Sequence, residues 1–203
     1  MPEAKSPRCL HCAVLIILTG LAAWGGTYFT LGTQHVAALW VANAIALSLM
    51  LRVPRKYWPV LLAAFGTIIA LARSTVDGLS MVPFGLGVAN MVEIGVAATL
   101  LADPRLASVE RGTPSFLWSF VLRAGLLAPL ASMPFALLAL NRADISPFSI
   151  AQDWFIAHSL GMISVGSVLL SLNSTTFRAL AQPRQALEAI AILLRERPEL
   201  PQI

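Results

Sequence analysis

Residues 9–51 have the sequence CLHCAVLIILTGLAAWGGTYFTLGTQHVAALWVANAIALSLML, and these 43 residues include no Asp, Glu, Lys or Arg. A transmembrane helix needs about 20 mostly apolar residues to cross a hydrocarbon core of about 30 Å. Charge-poor stretches of this kind recur as far as Asn173, and only 12% of the whole chain is charged. Water-soluble domains carry about a quarter charged residues. The sequence therefore indicates an integral membrane protein.

Hydropathy, turn residues and charges divide the chain into six predicted helices. The predicted fold is an all-α, polytopic bundle of about six transmembrane helices (residues 10–173), between a short N-terminal segment (1–9) and a C-terminal tail (174–203). Helical spacing of apolar residues in the tail predicts an amphipathic helix that lies on the membrane or connects to a partner. The predicted membrane helices are about Leu10–Leu31, His35–Leu51, Tyr57–Ala72, Ser80–Ala102, Ser115–Leu140 and Ser149–Asn173.

The basic residues orient this predicted bundle. If the N-terminus is cytoplasmic, eleven Lys and Arg residues fall on the cytoplasmic side, and only Arg73 and Arg142 fall on the other. Basic residues concentrate in cytoplasmic loops, so both termini are expected in the cytoplasm. The sequence pI of about 9.7 then reflects topology and attraction to the lipid bilayer, and we expect no nucleic-acid binding.

The sequence offers little for catalysis or metal binding. Cys9 and Cys12 enclose His11 at the edge of the first predicted helix, but two thiols and one imidazole are too few ligands for a closed zinc site. We expect unpaired thiols there, although a metal or redox site is the alternative. Neither G-x-S-x-G nor H-E-x-x-H occurs in the chain. We therefore predict no enzyme, no metal and no cofactor.

Polar residues inside the predicted helices are the candidate functional residues, because a charge at mid-bilayer costs about 2.5–3.5 kcal/mol on insertion scales. Glu93 lies nine residues before Ala102, and Arg123 lies eight residues after Ser115. At about 1.5 Å per residue, both lie roughly 12–14 Å from the membrane boundary. An ion pair between them is expected, either as a structural clamp or as part of a ligand pocket. Further sensing candidates at mid-depth are Asn43, Asn90 and His158.

Tryptophans occur near the starts of several predicted helices, where membrane-interface anchors are common. Trp40, Trp58 and Trp154 are predicted to be such anchors. The chain also contains a weak internal repeat, since the tripeptide Val-Ala-Asn ends at Asn43 and again at Asn90.

Five segments together resemble the MASE1 domain, a bacterial membrane-associated sensory domain. They are LWVANAIAL (39–47), RKYWP (55–59), GVANMVE (87–93), LAPLAS (127–132) and WFIAHSLG (154–161). The resemblance implies a sensor in the bacterial inner membrane, which usually precedes a diguanylate cyclase, a phosphodiesterase or a histidine kinase. The chain departs from the family pattern at His158, where the family usually carries Asp. Residues 174–203 are too short for such an output module, which implies a stand-alone or truncated sensor.

Two functions therefore remain open from the sequence. The first is a signal-input domain that binds a small ligand or senses a membrane signal and relays it through its last helix to a cytoplasmic output protein. That partner would be a cyclic-di-GMP enzyme or a histidine kinase, and assembly as a homodimer stays open. The second is the substrate-binding subunit of a vitamin-type transporter, which has a similar length and helix count.

Overall fold

The computed structural model describes residues 9–30, 39–103, 113–141 and 146–171. Most of the N-terminal segment, the predicted turn at residues 32–34, Arg142 and the amphipathic tail lie outside the described residues. Within the described ranges, all regular secondary structure is helical. The prediction of an all-α fold is therefore confirmed for this part of the chain.

Six helices can be followed through the described residues. The first four are α1 (Cys9–Thr30), α2 (Ala42–Met50), α3 (Trp58–Asp77, preceded by a 3₁₀ turn at Arg55–Tyr57) and α4 (Met81–Leu101). The fifth, α5, consists of Pro114–Phe120, a π-helical stretch Val121–Leu127 and Ala128–Ala139. The sixth, α6, consists of Pro147–Gly161, a π-helical stretch Met162–Gly166 and a last turn Ser167–Ser171.

Four of these helices are long and apolar enough to cross a membrane. The spans are Arg55–Asp77, Met81–Leu101, Pro114–Ala139 and Pro147–Leu170, and α1 adds the shorter apolar stretch Ala13–Tyr28. Helix α2 has nine residues, so at about 1.5 Å per residue it extends only about 13 Å. It is too short to cross a hydrocarbon core of about 30 Å by itself.

Two predicted helix boundaries are wrong. The second helix begins at Ala42 instead of His35, because the backbone N–H of Trp40 donates to the carbonyl of Ala157 in α6 at 3.0 Å. The third helix ends at Asp77 instead of Ala72. In its last turns, Nε of Arg73 lies 2.6 Å from Oδ2 of Asp77. Such pairs four residues apart stabilise a helix.

Helix α4 is central to the described bundle. It packs against α2, α3 and α5, while α1 lies against α2 and α3. At the α3–α4 crossing, a Cβ added to Gly87 would lie 2.7 Å from the carbonyl oxygen of Gly66, so only glycine allows this close approach. The packed unit extends to Leu169.

Arginine side chains bind helix carbonyls at one end of the bundle, which we call the arginine end and define by Arg52, Arg55 and Arg123. Arg52 donates to the carbonyl of Leu169 in α6 at 2.7 Å, and Arg55 donates to the carbonyl of Ala102 after α4. The last carbonyls of a helix have no partner within the helix and carry the negative end of its dipole. The guanidinium groups therefore bind the ends of these helices.

Candidate functional site

An acid–base pair lies in the middle of the bundle. Glu93 on α4 is 0% exposed, and its Oε2 lies 2.6 Å from Nδ1 of His158 on α6, which is 2% exposed. Each residue is near the midpoint of its helix. A buried charge is tolerated only when it is paired or hydrogen-bonded. The contact therefore joins α4 to the last helix at the place where an unpaired carboxylate would be most costly.

Two residues of α5 and α6 extend the pair on one side. The hydroxyl of Ser132 donates to Oε2 of Glu93 at 3.1 Å or to the carbonyl of Pro129 at 3.0 Å, and accepts from Nε1 of Trp154 at 3.0 Å. Because a hydroxyl carries a single proton, the two Ser132 acceptors compete for it. The Trp154 ring also stacks on the His158 ring, with a centroid distance of 3.8 Å.

Residues of α2 and α4 extend the pair on another side. Nε1 of Trp40 donates to Oδ1 of Asn90 at 2.7 Å and to Oδ1 of Asn43 at 3.2 Å. Nδ2 of Asn43 lies 3.4 Å from Nδ1 of His158, and the Trp40 ring stacks on His158 with a centroid distance of 5.6 Å. The 2.6 Å contact of His158 with Glu93 is much shorter, so it dominates at Nδ1.

We call the resulting set the buried network. The structure brings together four of the five sensing candidates, Asn43, Asn90, Glu93 and His158. The repeated Val-Ala-Asn tripeptide places both asparagines at one hydrogen-bond donor, because each accepts from the Trp40 indole. The full set comes from α2, α4, α5, α6 and a position two residues before α2, and consists of Trp40, Asn43, Asn90, Glu93, Ser132, Trp154 and His158.

The expected ion pair between Glu93 and Arg123 is wrong. Nη1 of Arg123 instead donates to the carbonyl of Leu100 at 2.7 Å and to Oδ2 of Asp103 at 3.1 Å. The long side chain of Arg123 reaches toward the helix end, as cationic side chains within membranes do. Arg123 therefore belongs to the arginine end. The residue that contacts Glu93 is His158, whereas the similar depth of Glu93 and Arg123 in the predicted helices had indicated Arg123.

The prediction that Trp40 and Trp154 anchor the membrane interface is also corrected. Each is only 4% exposed, because its ring stacks on His158 and its N–H group finds a buried acceptor. Trp58 lies at the start of a candidate span and donates to the carbonyls of Met50 and Val53, so its role as an anchor stays a prediction.

Sequence reasoning assigned no role to Ser132 and misassigned Trp40 and Trp154. The spacing of Trp154 four residues before His158 places both on one helix face, and this signal could have identified the stack. Nothing comparable identifies Ser132, because a single hydroxyl can be satisfied within its own helix.

A small cavity borders the buried network. Its polar and aromatic lining comes from Trp40, Asn90, Trp154 and His158, and its volume is about 10 Å³, which is room for about one water molecule. Arg73 also lines it, so the cavity leads away from the arginine end. Among the described residues, none forms a hydrogen bond with Oε1 of Glu93.

Within the described ranges, no group of three or more His, Cys, Asp and Glu side chains could hold a metal ion. Comparisons of the chain with protein-family models, with curated proteins and with solved structures find no match.

Proposed function

We propose that the chain is a MASE1-type sensory domain of a bacterial inner membrane, with about six spans and both termini in the cytoplasm. It perceives a small ligand or a membrane signal at the buried network and relays it through its last helix to a cytoplasmic output partner. A cyclic-di-GMP enzyme or a histidine kinase is the partner class that the sequence resemblance implies.

The observation that carries this proposal is the contact between Glu93 and His158. Ionisable residues within membrane spans are expensive and are functional candidates for that reason. Here they connect α4 directly to α6, the helix that leads toward the C-terminal tail. The second oxygen of Glu93 is buried and offers an acceptor to a ligand donor.

The last helix has a feature suited to relaying a change. Its hydrogen bonding is π-helical over Met162–Gly166, beginning four residues after His158. Such π-helical turns are uncommon and are frequent at functional sites. A ligand shifts a protein between two conformations only if it binds them with different affinities. A change between π- and α-helical hydrogen bonding would provide two conformations of α6.

The volume of the cavity favours a membrane signal, or a ligand about as small as a water molecule, over the organic ligand that the transporter alternative requires. Pockets for organic ligands usually enclose about 300–1,000 Å³, whereas the cavity beside the network measures about 10 Å³. A vitamin-sized molecule would require the network to separate first. The charges support the proposed orientation, since Arg52, Arg55 and Arg123 share one end of the bundle.

The test is a hybrid in which a diguanylate cyclase module follows residue 203. We expect Glu93→Gln to change the cyclic-di-GMP output several-fold, because the substitution keeps the size of the side chain and replaces the carboxyl group that contacts His158. Output is measured in membranes that contain equal amounts of inserted protein.

The matched control is Thr99→Val. Thr99 lies on the same helix as Glu93, is exposed, and its hydroxyl donates to the carbonyl of Gly95 in its own helix. The control should leave the output unchanged. A Glu93→Gln hybrid that inserts normally and signals like the unchanged hybrid would contradict the proposal.

A further inference from the structure

We propose that the bend between α2 and α3 binds the headgroup phosphate of an anionic phospholipid. Arg52, Arg55 and Lys56 lie within five residues, and all three are exposed. The bend also coincides with the start of the candidate span Arg55–Asp77, so these cations lie at the depth of lipid headgroups. Basic residues next to a membrane span attract anionic lipids.

Aromatic rings support two of these cations. The guanidinium carbon of Arg55 lies 5.7 Å from the ring centroid of Trp58, and Nζ of Lys56 lies 5.0 Å from that of Tyr57. Trp58 is itself held in place, because its N–H donates to the carbonyls of Met50 and Val53. Cation–π contacts and the anchored indole therefore restrict the positions of the charges.

The backbone contributes to the same site. Helix α3 begins at Trp58, with Pro59 in its first turn. The backbone N–H groups of Tyr57 and Trp58 already donate to the carbonyls of Pro54 and Arg55, so the backbone contribution is the positive end of the helix dipole, which favours an anion. The positive end of the helix dipole and the three cations thus both favour a phosphate group.

The surface beyond the bend favours a lipid over free phosphate. One turn after Lys56, an exposed stripe begins at Val60, which is 71% exposed, and ends at Leu71, which is 48% exposed. Ala63 and Thr67 lie between them on the same face at helical spacing. Acyl chains attached to a headgroup at the bend would lie along this stripe.

The site has a regulatory consequence that rests on the proposed sensory function. Arg52 binds the carbonyl of Leu169 in the last helix, so a headgroup that draws Arg52 away would loosen that helix at the arginine end. Lipid binding itself does not require the chain to be a sensor.

The binding test uses the full chain in phosphatidylcholine vesicles with traces of spin-labelled phosphatidylglycerol or spin-labelled phosphatidylcholine. We expect the immobilised fraction to show a preference for phosphatidylglycerol. Each exposed cation near a membrane contributes enough for Lys56→Gln to lower this preference about fivefold. The double variant Arg55→Gln/Lys56→Gln should lower it further, and Lys56→Arg should retain it.

The matched control is Arg73→Gln, which removes one positive charge from the other end of α3 and should retain the preference. An equal loss in this control, no preference in the unchanged chain, or full preference in the double variant would overturn the site. Displacement of the lipid by inorganic phosphate at constant ionic strength would overturn its assignment to a lipid.

The regulatory arm uses the cyclase hybrid in vesicles with and without phosphatidylglycerol. We expect the lipid to change the output and Lys56→Gln to weaken that change. A lipid preference without any change in output would overturn the regulatory consequence and leave the binding site standing, whereas the Glu93→Gln hybrid tests the sensory function separately.

Discussion

The buried network and the arginine end connect the same helices in two different ways. At the network, side chains of α2, α4, α5 and α6 bind one another in the interior, and Glu93 is 0% exposed. At the arginine end, guanidinium groups bind backbone carbonyls such as those of Leu169 and Leu100, where the side chains reach the surface.

The difference shows which contacts depend on residue identity. A helix end presents carbonyl acceptors whatever its sequence, so an arginine can find one after a small shift of its flexible side chain. A carboxylate in the interior depends on a particular donor at a particular place. Interior charges are also screened far less than exposed ones. Substitutions in the buried network should therefore lower the free energy of unfolding more than substitutions at the arginine end.

The largest effect is expected from His158→Phe. The substitution keeps an aromatic ring beside Trp154 and removes the partner of Glu93 from the interior. Leaving a buried polar group without its hydrogen-bond partner costs about 1–3 kcal/mol, and more for a charged group, so we expect the free energy of unfolding to fall by about 3 kcal/mol. Unfolding in mixed micelles, followed by circular dichroism, measures the change.

The double variant Glu93→Leu/His158→Phe is the control for this interpretation. It removes both members of the pair, and apolar replacement of a whole buried pair is often close to neutral. The double variant should therefore be more stable than His158→Phe. If both variants lose the same stability, the unpaired carboxylate is not the cause.

The second effect concerns the backbone contact that holds the start of α2 against α6. A Cβ added to Gly161 would lie 2.0 Å from the carbonyl oxygen of Trp40, and a backbone cannot rotate away as a side chain can. Gly161→Ala should therefore cost about 2 kcal/mol, within the usual range for overpacking, in the same unfolding measurement.

Gly25→Ala is the matched control, because no heavy atom lies within 4 Å of a Cβ added there. Alanine also has the higher helix propensity, so this control should be neutral or stabilising. Equal destabilisation by both substitutions would argue against a close contact at Gly161.

The same contact shows how far the sequence predicts the fold. Scarcity of charge predicts α4, α5 and the start of α6 to within a few residues, because the cost of charge in lipid acts along the chain itself. It does not predict the start of α2, which is set by the bond from Trp40 to Ala157, 117 residues away. A contact between distant segments leaves no periodic signal in either of them.

The candidate site divides along similar lines. Asn43, Asn90, Glu93 and His158 are identifiable because polar groups inside apolar helices need partners. The contacts among these residues are not predictable in the same way, because the sequence gives the position of Glu93 along its helix axis and not the neighbouring helix that its side chain faces. A long side chain such as that of Arg123 adds to the difficulty, since its charge lies far from its Cα.

The smallest effect is expected at the arginine end and tests whether Arg123 is independent of the network. The side chains of Arg123 and Asp103 are 27% and 30% exposed, so Arg123→Gln should cost less than about 1 kcal/mol, and less at high salt. Because Arg123 and Glu93 share no hydrogen-bond partner within the described part of the chain, the double variant Glu93→Gln/Arg123→Gln should cost the sum of the single variants within about 0.5 kcal/mol. A coupling above about 1 kcal/mol in this cycle would restore the ion pair that equal depth suggested and would join the two regions into one electrostatic unit.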